Sequence, residues 1–107
     1  MVTDGELSAL VRGIREHYKP QRVILFGSYA RGEAHAGSDL NLCLVVPEAG
    51  DWLERHAEFL GRFDLPATAI RPIIYTAQEL ERLRAEGQPF ALEILEEGRV
   101  LHESRRS

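Results

Sequence analysis

Residues 22–46 read RVILFGSYARGEAHAGSDLNLCLVV, and the organisation of the whole chain follows from this stretch. Arg22 to Phe26 is a short apolar run that reaches a glycine, the pattern of a buried strand ending in a turn. Leu40 to Val46 is a second such run, closed by Pro47. Between them, Gly27 to Ser38 carries three glycines and two serines, a loop with room for one helical turn. A strand that ends on Gly-Ser and passes into a helical start presents free backbone N–H groups, where a phosphate can sit. Gly27 lets the backbone approach closely, Ser28 offers a hydroxyl and Arg31 a charge-assisted donor. Asp39 stands at the start of the second strand, and Asp39 and Asn41, at i and i+2, share one face of it. Two adjacent strand ends thus bring a phosphate cradle and a carboxylate to one crevice.

Outward from this core, Leu7, Leu10, Val11 and Ile14 recur at helical spacing, with Thr3 as N-cap and Glu6 completing a capping box. That helix is expected to stop near Tyr18, ahead of Pro20. Trp52, Leu53, His56, Phe59 and Leu60 share a stripe that predicts a helix from Asp51 to about Gly61. Ala67 to Tyr75 reads as a third strand, in which Pro72 argues for an edge or a bulge. Thr76 and Glu79 form a second capping box before a helix to about Glu86. Phe90, Ala91, Ile94 and Leu95 give a last helix, and Val100-Leu101 a short extended piece. This order predicts an α/β (α+β) domain, a small mixed sheet with helices packed against it.

The chain has 107 residues, which makes one domain, 1–107. Thirteen Lys and Arg against 17 Asp and Glu leave a net charge of −4, which disfavours a dedicated nucleic-acid binder. With 44% hydrophobic residues it can bury a core without staples, and a single cysteine excludes an internal disulfide. No apolar run approaches the roughly 18 residues of a membrane span, and the N-terminus has no apolar signal core. A soluble, cytoplasmic protein is expected. The four His (17, 35, 56 and 102) have no metal-ligand spacing. His35, in the loop, is a remote acid/base candidate, His56 a core-edge residue, Cys43 a small buried hydrophobe, and Arg105-Arg106 a frayed tail.

The spacing of the central stretch resembles the signature of the DNA polymerase β-like nucleotidyltransferase superfamily, and within it the minimal nucleotidyltransferases of bacteria and archaea. Their pattern runs approximately G-S-x-x-R-G-x-x-x-x-x-S-D-x-D, and Gly27, Ser28, Arg31, Gly32, Ser38 and Asp39 match it in order. The resemblance covers nearly the whole chain and implies the polymerase β-like palm fold. It implies a Gly-Ser turn that holds the triphosphate of ATP, with Gly27, Ser28, Arg31 and Ser38 as its nucleotide-binding residues. It implies three carboxylates holding two Mg²⁺ ions, one activating the attacking oxygen and one neutralising the departing pyrophosphate. Family members commonly pair with an all-helical HEPN protein in a toxin–antitoxin couple, and some neutralise it by attaching AMP; a homo-oligomer is the other assembly to consider.

The sequence departs from that pattern twice. Asp39 keeps the first carboxylate, the second position is Asn41, and the third aligns with Arg71. Asp39 and a weakly ligating Asn41 are the catalytic and metal candidates, and Arg71 joins the phosphate-binding set. A bulge at Pro72 would move Arg71 aside, and Asp64 is a substitute third carboxylate. Asn41 reads equally as a satisfied structural amide, and for Arg71 an edge residue pairing Asp39 or a helix carboxylate is the favoured reading. The resemblance implies transfer of AMP from Mg-ATP to a partner such as a HEPN toxin, weakened or abolished by this altered triad. The alternative is a non-catalytic antitoxin, or a nucleotide sensor, of the same fold.

Overall fold

The computed structural model describes residues 1–104; Arg105-Arg106 lie outside the described residues. Among the described residues four helices and four strands follow in the order α1 (Asp4–Tyr18), β1 (Arg22–Phe26), β2 (Leu40–Val46), α2 (Trp52–Arg62), β3 (Ile70–Thr76), α3 (Ala77–Ala85), α4 (Pro89–Glu97) and β4 (Arg99–Glu103). The strands form one mixed sheet in the order β3-β2-β1-β4. β1 is antiparallel to β2 and β4, and β2 is parallel to β3. No helix among the described residues is long and apolar enough to cross a membrane.

Helices cover both faces, so the two-residue repeat of the strands sorts their side chains into two cores. Leu40, Leu42, Leu44 and Val46 join Val23 and Leu25 beneath Leu10 and Ile14 of α1 and Phe59 of α2. Cys43 and Val45 join Ile24, Phe26 and Tyr75 beneath Leu80 of α3 and Ala91 and Ile94 of α4. Cys43 is fully buried, and burial pushes its thiol up to about 12. Both predicted capping boxes form, at Thr3 with Glu6 and at Thr76 with Glu79. Lys19 ends α1 in the left-handed region, directly before Pro20.

Two expectations change. The third strand begins at Ile70 rather than Ala67, because the chain still bends at Pro66 to Thr68. The α2 stripe is also only partly buried: Phe59 is enclosed, while Leu53 and Leu60 are 78% and 54% exposed. The stripe of four apolar residues and His56 is wider than the part of the helix that packs against the core.

Pro72 marks an edge and not a bulge: the β2–β3 register runs unbroken from Leu40↔Ile70 to Val46↔Thr76. The Leu40 amide donates to Ala69 O, so in this parallel ladder positions 70, 72, 74 and 76 of β3 face away from β2. From Pro72 onward none leaves an amide open. Pro72 has none, the Ile74 amide donates to His56 Nε2 at 2.9 Å, and the Thr76 amide donates to Glu79 at 2.8 Å. His56 can accept at Nε2 because its Nδ1–H donates to Trp52 O at 2.8 Å. Arg55 completes the seal. Its guanidinium donates to Ile74 O at 3.0 Å, to Glu79 at 2.7 Å and to Gly50 O at 2.7 Å.

Arg55→Met removes these bonds from a side chain that is only 9% exposed and leaves a strand carbonyl unpaired. It is expected to cost about 2 kcal/mol, read as a lower urea midpoint with an unchanged slope. A second expectation concerns Glu58, which accepts from the Tyr18 hydroxyl, from Arg62 and from His17. These bonds, Tyr18's first, hold its carboxyl at about 2, below the ordinary 4.5. A depressed folded-state value stabilises above about 4.5, and that contribution fades as pH falls toward 2. Because Glu58 is 41% exposed, solvent screening keeps the effect small. Glu58→Gln should lower the melting temperature at neutral pH and lose less on acidification than the parent.

Candidate functional site

β1 ends at Phe26, and Gly27 turns the chain with a φ of 78°. A Cβ at Gly27 would lie 2.7 Å from Asn41 Nδ2, so only glycine lets the turn lie against the second strand. The next residues wind one helical turn, as their spacing predicts. Ala30 and Arg31 amides donate to Gly27 O at 3.0 and 3.1 Å, and the Glu33 amide donates to Ser28 O at 2.9 Å. Among the described residues, the Ser28 and Tyr29 amides donate to no acceptor of the chain, as first N–H groups of a helical turn do. The Tyr29 hydroxyl accepts from the Val2 amide at 3.1 Å and ties the turn to the chain start. Sequence reasoning missed this tether; an aromatic ring inside a glycine-rich loop was its only signal.

Beside the turn, Asn41 pairs with Phe26 on one side and with Arg71 on the other. Burial falls away along this row. Phe26 is buried under Phe90 of α4, whose ring meets it edge to face at 5.6 Å; Asn41 is half-buried and the Arg71 side chain 70% exposed. Arg71 Nε donates to Asp39 Oδ2, so the carboxylate before β2 and the guanidinium on β3 form an ion pair across the strand ends. The bond to Asp39 first, and its charge second, hold the Arg71 proton more firmly than usual.

The structure therefore gathers Gly27, Ser28, Asp39, Asn41 and Arg71 at one rim of the sheet. Arg31 is also on this turn, but its guanidinium donates to Glu33 at 2.8 Å and feels Glu93 and Glu97 of α4. Ser38 is buried, and its hydroxyl accepts from the His35 amide at 3.0 Å, so it braces the loop from within. His35 is exposed, with Nδ1 accepting from the Gly37 amide at 3.1 Å. Asp64 lies on the other side of the sheet, in a groove with Glu6, Ala9 and Leu10 of α1.

At the strand ends stand one carboxylate, one amide and one guanidinium, and the carboxylate is bonded to the guanidinium. Among the described residues, no group of three or more His, Cys, Asp or Glu side chains is gathered that could hold a metal ion. This donor set does not fit a pair of protein-held Mg²⁺ ions, which need several hard oxygen ligands and little positive charge nearby.

A four-stranded mixed sheet between two pairs of helices, with a glycine turn at its rim, defines the class of the domain. The chain belongs to the nucleotidyltransferase family, whose nucleotidyltransferase domain it matches over residues 7–102. It is 34% identical over 58 residues to a candidate protein adenylyltransferase of Methanocaldococcus jannaschii, covering 50% of this chain and 67% of that one. Among solved structures it resembles a candidate nucleotidyltransferase from Sulfolobus solfataricus, with a TM-score of 0.63 and 16% identity, over 94% of this chain and 80% of that one. It also resembles a chain of a toxin–antitoxin structure containing AMP-PNP, with a TM-score of 0.55 and 18% identity, over 97% and 76% of the two chains. These two likenesses establish the fold.

Gly27→Ala tests the close approach. A left-handed alanine costs about 1–2 kcal/mol, and its methyl displaces the Asn41 amide. The variant should melt lower than Gly32→Ala, whose φ is similar at 72° but whose Cβ meets nothing within 4 Å.

Proposed function

We propose that this chain binds ATP at the Gly27–Ser28 turn and works with a protein partner, and that its nucleotidyl transfer is slowed or lost. The observation that carries this reading is the Arg71–Asp39 ion pair, in register beside Asn41. The turn offers a phosphate the free amides of Ser28 and Tyr29, the Ser28 hydroxyl and the nearby guanidinium of Arg71. Arg31 is close enough in sequence to add a second cation on release from Glu33, and Ser38 keeps the loop in shape.

The inherited reaction joins an acceptor oxygen to the α-phosphorus of ATP while the bridging oxygen leaves with pyrophosphate. Both oxygens gain negative charge, and metal ions are the usual means of stabilising it. By the sequence signature Asp39 and Asn41 are the positions that would hold such a metal, yet Asp39 already serves Arg71. The adenylyltransferase relative and the toxin–antitoxin neighbour support a protein partner, and a HEPN-type toxin is the partner that the sequence signature implies. Such a partner is held by surface complementarity, independent of turnover.

Two measurements test this. Calorimetric titration with ATP should show binding, and its absence up to millimolar ATP would overturn the nucleotide assignment. Pyrophosphate release from Mg-ATP should be near background for the parent. It should rise about tenfold or more when Asn41→Asp and Arg71→Asp are combined. A parent that already matches the double variant would show that turnover is intact.

A further inference from the structure

We propose that Arg71 takes the place of a bound divalent cation at this rim, so that the site prefers metal-free ATP and magnesium weakens binding. The inference rests on the nucleotide-binding reading above and adds which form of the nucleotide is taken.

The argument is one of charge and geometry. Asp39, Asn41 and Arg71 are a negative, a neutral and a positive side chain, and their formal charges cancel. Asp39 therefore does not repel an arriving anion as a lone carboxylate would, and no metal ion is needed to neutralise it. Arg71 is permanently charged and carries five N–H donors in a planar fork, of which Nε is engaged by Asp39. Its side chain is 70% exposed on an edge strand, so its remaining donors can turn toward a phosphate at the Gly27–Ser28 turn without unpacking the core. The amides of Ser28 and Tyr29 supply further positive ends at that turn.

Magnesium works against each of these contacts. Chelation removes about half of the triphosphate's negative charge and occupies phosphate oxygens that the guanidinium and amides would take. A divalent ion near Asp39 also meets Arg71, and among the described residues no cluster of three or more acidic, His or Cys side chains compensates it. Metal-free ATP keeps its full charge for the cations and amides of the chain.

The test is calorimetric titration of the full chain with ATP in excess EDTA and, separately, in excess Mg²⁺. The parent should bind about fivefold or more tightly in EDTA, a difference of about 1 kcal/mol. Arg71→Asp should reverse the order, giving binding that depends on Mg²⁺. Arg71→Lys should keep a weaker preference for the metal-free form, and Arg71→Gln should lose the preference while still folding, since an edge glutamine introduces no repulsion with Asp39. Equal or tighter binding of Mg-ATP by the parent overturns the inference and leaves nucleotide binding intact. No binding in either buffer removes the nucleotide reading itself, and this inference with it.

Discussion

Everything in the domain depends on the central position of β2. It is flanked by strands on both sides and covered by helices on both faces, so its residues alternate between two closed cores. Leu40, Leu42, Leu44 and Val46 serve one core, Cys43 and Val45 the other. A one-residue slip would exchange all of them, which makes the register stiff. That stiffness reaches the strand's first residues, where Leu40 is fully buried on one face and Asn41 half-buried on the other. Asn41 is forced onto the face of Cys43, beside the Gly27 turn on one side and Arg71 on the other. The rim is polar on that face, where cover falls away from Phe26 through Asn41 to Arg71.

This arrangement separates the chemistry from the fold. Asp39, Asn41 and Arg71 make no contribution to either apolar core, and Arg71 is largely solvent-exposed. Changing a carboxylate to an amide or a guanidinium there leaves the cores as they are. Membership in the nucleotidyltransferase family therefore says a great deal about the sheet and much less about what occurs at its edge.

Much of this was legible in the sequence, and the exceptions have physical reasons. The strands around Gly27, the helical turn after it and both capping boxes follow from local patterns, and all are present. The sequence allows Arg71 to bind phosphate, to pair Asp39 or to pair a helix carboxylate, because ladder register is a non-local property and Pro72 is compatible with a bulge; the structure has the Asp39 pair. The start of β3 and the exposure of Leu53 and Leu60 were not legible. Apolar spacing says which residues share a helix face, and the neighbouring elements decide how much of that face is covered. Ser38 matched a motif position, and the structure adds that its hydroxyl is turned inward to His35.

The seal that α2 and α3 place along β3 has a consequence for how copies of the chain can meet. Pro72, His56, Arg55 and Glu79 leave that rim of the sheet with no amide to offer at positions 72, 74 and 76. The opposite rim is β4, whose ladder with β1 is itself irregular between Val23 and Ile24. Growth of a fibre by strand addition needs two open sheet edges on every copy, each with N–H and C=O groups to pair. From Pro72 to Thr76 the β3 rim has no amide to give a further strand, which disfavours joining through it and leaves β4 as the more open rim.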